Sequence, residues 1–178
     1  MIERLIAFDP VQMERLVAES RREGFRFLDR LRDEWASGTN RFDRAGEAFF
    51  GVFADGELIG VGGINRLDEF TGRLRRFYIL PSYRRRGCGR HLLRYILGHA
   101  AGHFRCVVLR TETDGGDRFY RAAGFTRIRD SHDATHRIQL PQAELENAPN
   151  RCPGSPRAAS PETHSSDSQR SSASGGGR

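Results

Sequence analysis

The chain contains no lysine; all 29 of its basic residues are arginine. A phosphate-binding P-loop needs Gly-Lys-Ser/Thr, so that nucleotide site is excluded. Long hydrophobic runs are also missing. The longest strongly apolar stretch, Cys106–Leu109, falls far short of the ~20 residues of a membrane helix. Glu3 and Arg4 interrupt the start before a signal-peptide core could form, so a cytoplasmic, non-membrane protein is expected. Only three cysteines are present, at positions 88, 106 and 152, with neither metal-ligand spacing nor a disulfide framework. No metal site is expected. Large apolar residues are absent from one region altogether. Residues 147–178 contain 8 Ser, 4 Pro and 4 Gly and no Val, Ile, Leu, Met, Phe, Tyr or Trp. Such a segment cannot offset the entropy of ordering, so 147–178 is expected to be a disordered tail behind one domain over 1–146.

The charge that is present is concentrated. Between Arg73 and Arg94 there are 8 arginines and no acid, whereas the rest of 1–146 carries 17 arginines against 21 acids. One 22-residue stretch therefore accounts for the whole basic excess of the folding part, which points to a compact anionic ligand. A solvated arginine-rich face is the plain alternative, and a nucleic-acid footprint is another. The tail carries Arg151, Arg157, Arg170 and Arg178 against Glu162 and Asp167, too sparse for a nucleic-acid arm.

Periodicity gives the order β, α, α, β, β, β, α, β, α, β, β, an α/β domain with a mixed sheet. The expected elements are strands Ile2–Phe8, Ala48–Ala54, Leu58–Ile64, Leu74–Leu80, Cys106–Leu109, Phe125–Arg129 and Thr135–Leu140. Helices are expected over Pro10–Arg22, Phe25–Trp35, from Gly89 through Ala100, and from Thr113 or Asp114 to Ala123. Asp55-Gly56 marks a hairpin, because a type I′ turn needs positive φ at both centres.

The most informative segment runs Phe77-Tyr78-Ile79-Leu80-Pro81-Ser82-Tyr83-Arg84-Arg85-Arg86-Gly87-Cys88-Gly89-Arg90. A strand enters a tight glycine-containing turn and an apolar-faced helix begins at once. Backbone N–H groups and the helix N-terminus converge there, glycines remove obstructing Cβ atoms, and three arginines add full charges. The arrangement suits a pyrophosphate. A dinucleotide-binding turn would want glycine at position 92, where Leu92 stands.

Arg84-x-x-Gly87-x-Gly89, placed between strand and helix, resembles the signature of the GNAT superfamily of acyl-CoA-dependent N-acyltransferases. About thirty residues on, Phe119-Tyr120-Arg121-Ala122-Ala123-Gly124-Phe125 is similar to that family's second segment. The resemblance covers residues 46–140 and is only topological over 1–45. It implies a mixed, mostly antiparallel sheet whose two parallel strands, at 77–79 and 106–109, splay apart to admit pantetheine. It also implies acetyl-CoA as cosubstrate. By position, the backbone of Phe77, Tyr78 and Ile79 would hold the pantetheine, and the turn formed by Arg84, Arg85, Arg86, Gly87, Cys88, Gly89 and Arg90 would hold the pyrophosphate. The Ile79 N–H would polarise the thioester carbonyl, and Tyr120 would be the general acid.

Two positions depart from the pattern, Thr113 and Gly116, the latter where alanine is common, and no general base is evident. Thr113 stands where many members have the asparagine that touches the cofactor, and the family's occasional glutamate base falls near Arg73. Glu112 is then a weak base candidate, with Asp68 and Glu69 beside it. For each of these residues an ordinary structural role remains open: strand core for Phe77 and Ile79, core packing for Tyr120, surface charge for Glu112. The function implied is transfer of an acetyl group to the primary amine of a small molecule or peptide. A CoA-binding domain without turnover and a nucleic-acid binder are the competing classes, and a homodimer stays open. Acids around the first two helices, among them Glu23, Asp29, Asp33 and Glu34, would suit a cationic amine.

Overall fold

A computed structural model describes residues 1–129 and 131–141. The expected tail lies outside the described residues. Seven strands, β1 (Ile2–Arg4), β2 (Ala48–Ala54), β3 (Glu57–Arg66), β4 (Thr71–Ile79), β5 (Cys106–Leu109), β6 (Thr126–Arg127) and β7 (His136–Gln139), form one sheet in the order β1-β2-β3-β4-β5-β7-β6. Every pairing is antiparallel except β4 with β5. Four helices accompany them: α1 (Pro10–Arg22), α2 (Phe27–Ser37), α3 (Cys88–Ala101) and α4 (Asp114–Ala122). The α/β class and the order of elements match the expectation.

Local chemistry explains most boundaries. Asp9 caps α1 by accepting from the N–H groups of Val11 and Gln12, and Pro10 takes the first helical position, where its missing N–H costs nothing. Gly24 at φ +82° then ends the helix, with the Phe25 N–H bonded back to Ser20 O. That closing turn uses Phe25, so α2 starts two residues later than expected. Asp55 (φ 50°) and Gly56 (φ 79°) form the anticipated left-handed turn between β2 and β3. The first strand is shorter than its apolar pattern suggests, since only Ile2–Arg4 pair with β2.

Helices cover both faces, as adjacent glycines of β3 reveal. A methyl group on Gly62 would lie 3.0 Å from Ile96 of α3, and one on Gly63 would lie 2.4 Å from the Phe42 ring. Neighbouring strand residues point to opposite faces, so α3 covers one side, while Phe42 covers the other with Trp35 of α2, 6.5 Å away between ring centroids. The α3 side is sealed by Leu92, Leu93, Ile96 and Ala100, all fully buried.

The decisive irregularity is in β4. Its register with β3 slips between Val61 and Gly63, where Val61 pairs Tyr78 but Gly63 pairs Arg75. The extra residue is a β-bulge, and Arg76 within it has φ +58°. A left-handed non-glycine residue costs about 1–2 kcal/mol. An ion pair holds it there: the Arg76 guanidinium, 7% exposed, meets the Glu34 carboxylate of α2. Burial and the neighbouring Arg75 charge lower the Arg76 pKa, while Glu34 opposes both. Glu34 also accepts from Asn40 at 3.2 Å. Removing one partner of such a pair strands the other charge. Glu34→Ala is therefore expected to destabilise the fold by about 3 kcal/mol, and by more than Glu34→Gln, as read from urea unfolding midpoints.

Candidate active site

The parallel strands β4 and β5 pair over three residues only, ending at Arg73↔Val108. Beyond this point β4 continues six residues to Ile79 without a neighbour on that edge, so a wedge opens between the strands. Leu80 N–H donates to Ile59 O of β3 at 2.9 Å. Peptide direction alternates along an extended strand, so the preceding Ile79 N–H faces the wedge.

At the end of β4 a 3₁₀ turn, Pro81–Tyr83, leads into α3. Arg85 (φ 61°) and Gly87 (φ 87°) give this turn two left-handed residues, the kind of backbone that gathers N–H groups into an anion-binding hollow. Nothing lies within 4 Å of a Cβ added at Gly87, so its conformation, not crowding, calls for glycine. Gly89 differs. Its φ is unexceptional, and an added Cβ would meet Phe119 at 3.5 Å and Ile79 at 3.6 Å. No protein atom requires glycine there.

The start of α3 is unlike that of α1 or α4. Among the described residues no side chain caps it, whereas Asp9 caps α1 and Thr113 caps α4. The first intrahelical bond is His91 N–H to Gly87 O, which leaves the N–H groups of Cys88, Gly89 and Arg90 without helical acceptors. Arg85, Arg86 and Arg90, next to this point in sequence, are exposed and, among the described residues, form no ion pair; the Arg86 guanidinium lies 5.7 Å from the Tyr83 ring centroid. Cys88, a free thiol, is half-buried at the helix start.

Arg84 does something else. Its Nε donates to Ile79 O at 2.9 Å, and its two terminal nitrogens each reach an oxygen of Glu23 at 2.6 Å. Its guanidinium also lies 5.2 Å from the Tyr78 ring centroid. The Arg84 side chain, expected to add charge at the phosphate, is here held in a bidentate pair with the α1 C-cap. Tyr78 joins the same carboxylate, its hydroxyl donating to Glu23 at 2.5 Å. Glu23 was noted in the sequence only as one acid among several; no local pattern marks it as a clasp between α1, β4 and the turn.

Tyr120, on α4, stands across the wedge from β4. Its ring centroid is 6.1 Å from Phe77 and 5.6 Å from Phe125, and its hydroxyl has no hydrogen-bond partner among the described residues. Burial raises its pKa well above the ordinary tyrosine value. Behind it, His136 shares Asp117 Oδ1 at 3.0 Å. Thr113 is the N-cap of α4 and accepts from Gly116 N–H at 3.1 Å, so its hydroxyl oxygen is used by the helix. Gly116 is sterically required, since a Cβ there would come within 2.2 Å of the Thr111 hydroxyl. Glu112 is exposed and bonded to Arg110 at 2.8 and 3.1 Å, a poor setting for a base. Asp68 accepts from Phe70 N–H in its own loop.

Residues 12–125 match the acetyltransferase (GNAT) family. The chain belongs to the GNAT acetyltransferase family. It is 35% identical over 83 residues to the N-alpha-acetyltransferase RimI of Mycobacterium tuberculosis, an alignment covering 45% of this chain. The chain spans about half, 52%, of that relative's length. Among solved structures, a candidate acetyltransferase from Exiguobacterium sp. 255-15 superposes with a TM-score of 0.68 at 29% identity, over 78% of this chain and 92% of the other. A GNAT family acetyltransferase from Elizabethkingia anophelis with acetyl-CoA bound shares the fold, with a TM-score of 0.55 at 15% identity over 79% and 97% of the two chains. Among the described residues no helix is long and apolar enough to cross a membrane, and no metal-binding cluster occurs.

The clasp makes a pH prediction for this GNAT domain. The hydrogen bonds from Arg84 hold the Glu23 pKa below its ordinary 4.5, against the opposing effect of partial burial. A depressed carboxylate stabilises the fold above pH 4.5, and that contribution is lost as pH falls through the folded-state value. Between pH 5 and 3 the native protein should lose more stability than Glu23→Gln does, measured by thermal unfolding at each pH.

Proposed function

We propose that this chain transfers an acetyl group from acetyl-CoA to a primary amine by direct attack in a ternary complex. The observation that carries the reading is the uncapped start of α3 beside a wedge in the sheet. It presents three unpaired N–H groups, a left-handed Gly87 and a Gly89 that no protein contact explains. A doubly charged pyrophosphate fits that donor set, with Arg85, Arg86 and Arg90 as surrounding charge. The Phe77–Ile79 edge would hold the pantetheine through backbone groups.

Acetyl-CoA supplies an activated thioester: its carbonyl carbon takes the amine as the C–N bond forms, and the C–S bond breaks. Ile79 N–H, facing the wedge, would donate to the carbonyl oxygen as negative charge develops. Tyr120 would donate to the departing sulfur. Because burial keeps the phenol protonated, the donor form is present throughout the neutral range. A thiol has a pKa near ~8.5, so Tyr120 acts more as a hydrogen-bond donor to the thiolate than as a full proton source. Glu112 is bonded to Arg110 and Asp68 to its own loop, so the amine proton would leave to water. The RimI relative is named an N-alpha-acetyltransferase, and an α-amino group is a primary amine of the class proposed here.

Thiol release from acetyl-CoA with a panel of amines is the direct test; failure of CoA to bind by calorimetry would overturn the reading. Gly89→Asp places bulk and negative charge at the proposed pyrophosphate site and is expected to abolish CoA binding in a protein that still folds. A folded Gly89→Asp protein with undiminished affinity would remove the cradle from the argument. Tyr120→Phe is expected to lower kcat by roughly a hundredfold with little change in acetyl-CoA affinity. Because the Tyr120 pKa lies above its usual 10, a fall in rate between pH 7 and 10 should persist in Tyr120→Phe and belong to another group.

A further inference from the structure

The face of β4 that looks toward α1 and α2 carries Arg73, Arg75, Arg76 and Tyr78. Arg73 reaches across to Asp133 O at 2.7 Å in the β6–β7 connection, and Arg75 reaches toward α2, where Glu34 lies 3.8 Å away. The two side chains thus span the opening between α2 and that connection. Arg30 precedes Glu34 by one helical turn, on the same face of α2, and is close enough for its charge to lower the pKa of Arg76.

Four of the acids expected to draw a cationic amine, those of the first two helices, are already used. Glu23 is bound by Arg84 and Tyr78, Asp29 by Arg21, Asp33 by Arg32, and Glu34 by Arg76. Arg75 and Arg76 therefore share the single carboxylate of Glu34, and the charge of Arg30 acts on Arg76 beside them, a local excess of positive charge. Arg76 takes that carboxylate at contact distance and is buried; its Nε is a buried donor without a partner. Arg75 keeps only the 3.8 Å contact with 37% of its side chain exposed, and among the described residues Arg30 has no carboxylate within ion-pair distance.

Resting on the acetyltransferase reading, we propose that the acceptor amine carries a carboxylate, and that Arg75 and Arg30 bind it. Arg75 precedes Phe77 by two strand residues, about 7 Å along β4, so a carboxylate held there leaves an amine within a few bonds of the wedge. The same positive charge disfavours the protonated, non-nucleophilic form of that amine. The charge excess accordingly selects the acceptor and favours its reactive form.

The carboxylate has two sources, a free amino acid or the first residue of an acidic peptide. Acetylation of glutamate is compared with that of its diamide, and of a peptide beginning with glutamate with one beginning with glutamine. At least one carboxylate probe should exceed its amide counterpart in kcat/KM by about ten- to hundredfold, the worth of a charge-assisted hydrogen bond. Arg75→Gln and Arg30→Gln should each raise KM for that probe about tenfold, with a clearly smaller effect on the amide and almost none on acetyl-CoA affinity. Equal use of acid and amide by the native protein, or equal losses on both in the variants, would overturn the proposal. If no probe is acetylated although CoA binds, the thermal shift of the CoA-loaded protein with each acid and its amide decides instead, and no difference between them overturns it. Failure of CoA itself to bind counts against the acetyltransferase reading and is seen separately.

Discussion

The site depends on the early end of one strand pairing. Parallel strands β4 and β5 share three residue pairs and then part, which leaves backbone donors and acceptors of β4 without a sheet neighbour. Unpaired backbone groups at the centre of a sheet are costly unless something else meets them. The Arg76 bulge falls within the unpaired part of β4, and its left-handed conformation is held by the ion pair with Glu34. A short strand, a bulge and one buried charge pair together make the wedge; none of them alone would.

Each side of the wedge is tied to an element distant in sequence. At the open end, Glu23 joins the C-cap of α1 to Tyr78 of β4 and to Arg84 of the turn. Arg84 in turn bonds Ile79 O, the carbonyl of the residue whose N–H faces the gap. Across the wedge, the Tyr120 ring packs on Phe77 and Phe125, with His136 and Asp117 behind it. These contacts use apolar area and buried polar pairs, which keep their strength where water is excluded.

Arginine has separate uses in this chain, though composition presents them as one excess. Arg85, Arg86 and Arg90 stand exposed round an uncapped helix start. Arg84 and Arg76 are structural, each spent on a carboxylate of the α1–α2 layer. Arg30 and Arg75 are left over. The planar guanidinium can hold a carboxylate with two parallel hydrogen bonds, which lets the same residue type serve as clasp in one place and as open charge in another.

Most of the fold was legible in the chain because its signals are local. The apolar, β-branched and aromatic runs of β2, β3 and β5, the Asp55-Gly56 turn, the Asp9-Pro10 start and the Gly24 and Gly124 stops each act within a few residues. The glycine turn before α3 and the segment around Tyr120 were legible for the same reason. The bulge left a faint trace, two adjacent arginines in an otherwise alternating strand, which went unread because Arg75 and Arg76 sit inside a longer basic run. Pairings across the chain were not legible at all. Glu23 lies 61 residues from Arg84, and Glu34 lies 42 from Arg76. An acid beside a site reads as negative potential in the sequence, whereas the fold neutralises it with an arginine from another layer. The sequence by itself determined the elements, their order and the turn that faces the anion. Tertiary packing alone decided which charges are spent and which remain, because ion pairing depends on distance in space and leaves no pattern along the chain.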